Sequence, residues 1–194
     1  MDIVQSHEEY HKQDFHHENF TGMDVRSAQF DNCRFESCDF TESNFSEVTF
    51  GSCEFSRCNL SLVQLDDARF HKATFRECKV MGLRFTACNP FGMDIHFADC
   101  RITNCSFGEM KLRKMVFRGC ELVDCDFYKS DLTEADFTGA LFSHVIFEQT
   151  NLSKARFTDA VGYMVNPLTN NIKKARFSMP EAASLLEFLG AVIE

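Results

Sequence analysis

The chain has 194 residues, 44% of them apolar, with no tryptophan and 22 phenylalanines, which is one domain's worth of sequence with an unusual aromatic core. Its formal charge of −9 argues against nucleic acid or an anionic membrane as a direct partner and permits a basic one. No apolar run is long enough to span a bilayer and no basic-then-apolar start resembles a signal peptide, so the cytoplasm is the expected compartment.

Residues 1–9 are expected to form an N-terminal cap. From Tyr10 the sequence counts in fives: Phe15, Phe20, Val25, Phe30, Phe35, Phe40, Phe45, Phe50, Phe55, Leu60, Leu65, Phe70, Phe75, Val80 and Phe85. Small or β-branched residues precede many of these by two, among them Ala28, Cys33, Cys38, Ser43, Val48, Cys53 and Cys58. Neither a helix nor a strand has that period. A unit of five with a large inward position (i) and a small one (i−2) describes a chain that turns a corner every five residues. Its other three residues face water. Repetition this regular is the signature of a solenoid whose coils contact only their neighbours and whose ends need covers.

The register slips by two within residues 88–96 and resumes at Phe97, running through Ile102, Phe107, Leu112, Phe117, Leu122, Phe127, Leu132, Phe137, Phe142, Phe147 and Leu152 to Phe157. Only Phe91 and Phe188 of the 22 phenylalanines lie off both registers. Cys88 keeps an i−2 position and Pro90 falls on the old i position, so this stretch reads as one side with two extra residues, punctuated by Pro90 and Gly92. It is either a tolerated bulge or a protruding contact loop, and its shortness favours the bulge.

All ten cysteines occupy i−2 positions, several of them one coil apart, such as Cys38, Cys58 and Cys78. Stacked in parallel, such thiols point alongside one another, which disfavours disulfides and tetrahedral metal ligation and suits small buried apolar residues. His7, His11, His16 and His17 crowd the N-terminal end without a third ligand of obvious spacing and read as solvated surface. No nucleophile triad, phosphate loop or carboxylate pair stands out from the repeat. A rod without a cleft is a poor setting for catalysis. The chain reads as no enzyme, with no metal and no cofactor.

Chemistry then lies in the charge on the sides. The side of Val25, Phe45, Leu65, Phe85, Phe107, Phe127 and Phe147 carries seven acids (Asp24, Glu47, Asp66, Asp67, Glu109, Asp126, Glu148) against Arg26, Arg84 and Lys129, net −4. The adjoining side of Phe20, Phe40 and Leu60 has Glu18, Asp39, Glu42, Glu121 and Asp124 against Lys79 and Arg101, net −3. The side of Phe30, Phe50 and Phe70 reverses to net +3 through Arg69, Lys72, Lys111, Arg113, Lys114 and Lys154, and the side starting at Phe15 is net −2. Acidic sides either keep a rod soluble or imitate the phosphate line of DNA. About one DNA charge per 1.7 Å of axis makes net −4 a sparse copy.

The grid is expected to stop after Ala160, leaving residues 161–194 as a C-terminal cap. Ser178-Met179-Pro180-Glu181 has the form of a capping box. Ala182, Leu185, Leu186 and Leu189 then make one apolar stripe, with Gly190 as the stop. Phe188, Val192 and Ile193 fall off that stripe. One coil end cannot bury all of Leu185, Leu186, Phe188, Leu189, Val192 and Ile193, so a second copy paired end to end is expected to cover them.

Asp131-Leu132-Thr133-Glu134-Ala135-Asp136-Phe137-Thr138-Gly139-Ala140 and Asn151-Leu152-Ser153-Lys154-Ala155-Arg156-Phe157 resemble the A-(D/N)-(L/F)-x-x signature of pentapeptide-repeat proteins. The resemblance runs from Tyr10 to Ala160. It implies an all-β solenoid, a right-handed quadrilateral β-helix with four repeats per coil and a C-terminal helical cap. The segment from Asn166 to Ser178, with the Leu-Leu helix after it, is similar to the close of Qnr-type topoisomerase-protection proteins. That likeness implies a homodimer through the C-terminus. It also implies a DNA mimic that binds a type II topoisomerase, DNA gyrase or topoisomerase IV, and protects it from quinolone-like or peptide inhibitors. The alternative is a cytoplasmic scaffold with an unrelated protein partner.

Overall fold

The computed structural model describes residues 4–192. Its backbone is a right-handed quadrilateral β-helix of about eight coils with one short C-terminal helix. Every ladder among the described residues is parallel, and outside the slip at residues 88–96 the partners sit twenty residues apart, as in Phe30 with Phe50 and Phe35 with Phe55. Three sides are laddered by short strands. One joins Glu9–His11, Gln29–Asp31, Thr49–Gly51 and Arg69–His71. The next runs from Asp14–His16 through Glu54–Ser56 to Val116–Arg118, and the third from Asn59–Ser61 to Leu141–Ser143. The fourth side is held by single bridges, Asp24 to Asn44 and Ser106 to Asp126 among them.

The corner explains the period. Residue i+2 adopts a left-handed backbone at nearly every turn, including Glu47 (φ 60°), Asp67 (φ 55°) and Lys129 (φ 55°). Such a conformation costs an L-residue about 1–2 kcal/mol. It persists because the corner N–H reaches a carbonyl of the next coil, as from Glu47 to Asp66 O at 2.8 Å and from Lys129 to Glu148 O at 2.9 Å. At most places where i−1 is Asp or Asn, its side chain also caps the i+1 N–H, for example Asp39 to Thr41 at 2.9 Å and Asp126 to Tyr128 at 2.8 Å. This is the physical content of the (D/N) in the repeat.

Inside, the i rings stack on the coil below and meet the next side edge-on. Phe35, Phe55 and Phe75 follow one another at 4.8 and 4.6 Å, and Phe50 meets Phe55 at 75°. All ten cysteines are buried and unpaired. Most donate to the carbonyl of an i residue one coil below, Cys53 to Phe30 O at 3.4 Å and Cys58 to Phe35 O at 3.3 Å. Burial pushes the Cys53, Cys88 and Cys105 thiols up to about 12, so they remain neutral members of the core.

Across the slip the ladders continue with a spacing of twenty-two: Phe75 with Phe97, Val80 with Ile102, and Phe85 stacked on Phe107 at 4.6 Å. Phe85–Ala87 forms a single 3₁₀ turn, and the extra residues lie on the side of Phe70. Pro90 does not take the inward position. It is exposed, and the half-buried Met93 packs against the core instead, because a proline ring lacks the reach to fill that space. The His71 ring replaces a missing corner hydrogen bond by contacting Gly92 O at 2.9 Å.

The coils also run further than Ala160. Arg156–Phe157 pairs with Arg176–Phe177, and Asn151 bridges Asn171. In between, Tyr163 fills an inward place off the grid, Val165 keeps an i−2 place, and Asn170 satisfies the buried Thr150 N–H and Phe147 carbonyl. The expected capping box is not made. Ser178 Oγ accepts the Asp159 N–H at 2.7 Å, closing the last coil, and the lid consists of a 3₁₀ turn, Glu181–Ala183, and one helical turn, Ser184–Glu187. Gly190 follows with φ +81°.

Candidate functional site

The structure places Asp24, Glu47, Asp66, Asp67, Glu109, Asp126 and Glu148 along one side, and Asp39, Glu42, Glu121 and Asp124 along the next, so the two acidic sides share a corner. It also shows which of these charges are spent. Arg26 holds Asp24 at 2.7 Å, and its side-chain hydrogen bonds keep that carboxyl below the usual range. Arg69 holds Asp67 at 2.7 Å, Arg84 lies 3.9 Å from Asp66, Arg101 lies 3.6 Å from Glu121, and His144 lies 3.3 Å from Asp124. Asp39 and Asp126 spend an oxygen capping their own turns. Burial would raise the Asp39 carboxyl, but the Thr41 hydroxyl and N–H outweigh it and the net shift is downward. Glu47 accepts from Ser27 Oγ and Glu148 from Thr169 Oγ1. Glu42, Glu47, Glu109 and Glu148 make no ion pair among the described residues, and the first three stand exposed on left-handed corners.

The acidic sides are not purely polar. Leu141 (52% exposed) lies in register with Val161 (45%), and Ile146 (51%) points outward one side over. The signal was in the sequence, since these residues occupy i−1 positions that are otherwise mostly polar. A second feature is an open cleft of about 800 Å³ beside the bulge, lined by Pro90, Phe91, Gly108, Met110, Asp126 and Tyr128. Phe91, one of the two rings off the grid, stands 84% exposed at this cleft.

At the C-terminal end, Leu185 packs on the core and Phe188 is half-buried, whereas Leu186, Leu189 and Val192 are exposed. Ile193 lies outside the described residues. Met164, Leu168 and Met179 add to the apolar surface of the last coil and its lid, at 70%, 70% and 76% exposure. Among the described residues no cluster of His, Cys, Asp or Glu is arranged to hold a metal ion. His11 sits 3.6 Å from Asp31 and His16 sits 3.2 Å from Glu36, on different sides. No helix among the described residues is long and apolar enough to cross a membrane.

The family model described as "Pentapeptide repeat region" matches residues 28–92 and 91–157. The chain is a pentapeptide-repeat protein. No curated protein matches this pentapeptide-repeat sequence. Among solved structures, a trypsin-treated variant of QnrB1, a plasmid-mediated fluoroquinolone resistance protein, superposes with a TM-score of 0.74 at 17% identity over 100% of both chains. A second trypsin-treated QnrB1 variant gives 0.65 at 16% identity, covering 96% of this chain and 100% of its own. At that identity the likeness is one of fold.

Proposed function

We propose that this pentapeptide-repeat protein is a non-enzymatic binding protein of the cytoplasm, and that it occupies the DNA-binding groove of a type II topoisomerase, DNA gyrase or topoisomerase IV, and so counters quinolone-like or peptide inhibitors. The observation that carries the reading is the pair of adjoining acidic sides, on whose corners Glu42, Glu47 and Glu109 stand exposed and make no ion pair among the described residues. Such charge complements a groove built for phosphates and steers the encounter with it. Eight coils at about 4.8 Å give a rod of about 36–40 Å. The exposed Leu186, Leu189 and Val192 support a homodimer through the C-terminal ends, which doubles that length. The ten free thiols suit a reducing compartment.

The test is gyrase supercoiling in the presence of ciprofloxacin, with the parent chain and with Glu42→Lys, Glu47→Lys and Glu109→Lys combined. The parent is expected to restore supercoiling. The triple reversal is expected to bind gyrase about tenfold or more weakly and with a flatter salt dependence. Absence of protection at stoichiometric excess rejects the topoisomerase reading. The exposed Phe91 and its cleft favour a second reading in that event, a scaffold that docks an unrelated protein.

A further inference from the structure

Neighbouring coils of this rod repeatedly set opposite charges against each other. Arg34 faces Glu54, Glu36 pairs with His16 and Arg57, Arg101 faces Glu121, and Glu134 takes Lys154 at 2.8 Å. This is the expected arrangement, because like charges directly opposite on adjacent strands are destabilising. The last two coils break the rule. Arg156 and Arg176 are in-register partners on parallel strands, and Lys154 and Lys174 occupy successive levels of the neighbouring corner, the Lys154 N–H bonding to Lys173 O. The acidic step from Glu47 to Asp67 and the basic step from Lys79 to Arg101 are also like-on-like, but there Arg69 neutralises Asp67 at 2.7 Å and Glu121 lies 3.6 Å from Arg101. Among the described residues no such relief exists at the basic end. The nearby carboxylates are already engaged, Asp136 by Arg118 at 2.7 Å and Glu134 by Lys154 at 2.8 Å. Lys114, Arg156, Lys174 and Arg176 make no ion pair among the described residues.

These residues line an open groove of about 600 Å³, where the basic corner meets the Arg156–Arg176 ladder. Two successive levels each offer a lysine and, two residues on, an arginine, with a rise of about 4.8 Å between levels. We infer that the groove binds a compact phosphate anion, pyrophosphate or the phosphate chain of a nucleotide. The forked guanidinium donors of Arg156 and Arg176 suit phosphate oxygens, and Lys114 and Lys174, which make no ion pair among the described residues, supply compensating point charge. A nucleic-acid strand fits less well. Only two levels are uniformly basic, the next carries Glu134 and Asp136, and the chain as a whole bears −9. The inference does not rest on the topoisomerase reading.

The experiment is isothermal titration calorimetry with thermal melts on the full-length chain, titrating pyrophosphate at fixed ionic strength against sulfate and a short single-stranded oligonucleotide. Saturable pyrophosphate binding at one site per chain, with a raised melting temperature, is expected. Arg156→Gln and Arg176→Gln should each weaken it about tenfold or more, whereas Lys79→Gln on another side should not. Arg176→Gln should also melt higher than the parent without added anion, because the like-charge step is relieved. ATP binding at least as tightly as pyrophosphate, and lost in the same variants, supports the assignment with a nucleotide as the source. Sulfate matching pyrophosphate, arginine variants that bind like the parent, or tighter binding of the oligonucleotide each overturns it.

Discussion

Phe55 and Phe177 occupy the same inward position on the same side of the rod, in very different company. Phe55 is buried between Phe35 at 4.8 Å and Phe75 at 4.6 Å. Phe177 has Phe157 on one face at 5.1 Å and stays half-buried, with only one short helical turn and a 3₁₀ turn beyond it. The repeat is the same, so the difference comes from the number of neighbouring coils. In a solenoid, burial is a property of the stack rather than of the residue, and stability is close to a sum over adjacent pairs.

The sharpest way to break this comparison is to delete both rings. Phe55→Ala should cost about 3–5 kcal/mol in chemical denaturation, and Phe177→Ala roughly half of that or less. Equal losses would show that the closing coil is as well covered as the middle. The next effect concerns what covers the end. Leu186→Asp combined with Leu189→Asp should leave a folded monomer, read by sedimentation against a dimeric parent at micromolar concentration. A parent that is itself monomeric there removes the dimer from the proposal.

The smallest effect is electrostatic and tests the laddering of charge between coils. Asp136 is nearly buried; burial would raise its carboxyl, but the Thr138 hydroxyl, the Arg118 side chain and the Thr138 N–H together hold it below the usual range. A carboxyl depressed in the folded state stabilises it above the unfolded value of about 3.9 and loses that contribution as pH falls through the folded value. Asp136→Asn should therefore cost about 1–3 kcal/mol at pH 7, with the gap to the parent closing below about pH 4. A pH-independent gap would assign the loss to packing alone.

The period of five made the architecture legible, because only inward positions are constrained and, apart from the one slip at Pro90, they recur through the middle coils. It even assigned sides correctly across the bulge, since Phe85 stacks on Phe107 and Phe75 pairs with Phe97. It failed where an inward place is filled from another offset. Met93 substitutes for Pro90, and Tyr163 fills a place one residue past Gly162, so the grid loses its large residues at Gly162 and Pro167 and breaks off a coil early. Ser178 had the right neighbours for a helix cap but a nearer customer in the Asp159 N–H. Counting charges by side gave the two acidic sides, yet could not show that Arg26, Arg69 and Arg101 already answer part of them. Nor did sums by side expose the basic groove, which lies across an edge: Arg156 and Arg176 belong to a side that sums to net acid.

The left-handed corner has one more consequence. Because the corner N–H groups away from the slip bond to the coil above at a fixed offset, those levels present the same set of atoms to the next, whatever their outward side chains. The junction after Cys33 is thus equivalent to the junction after Cys53, and both thiols donate to carbonyls twenty-three residues back. A chain built this way behaves like a ruler graduated in units of twenty residues. Whole graduations can be gained or lost without disturbing the marks on either side, each changing the span by about 4.8 Å. Length is then a trait that can be tuned to a partner independently of the surface that touches it.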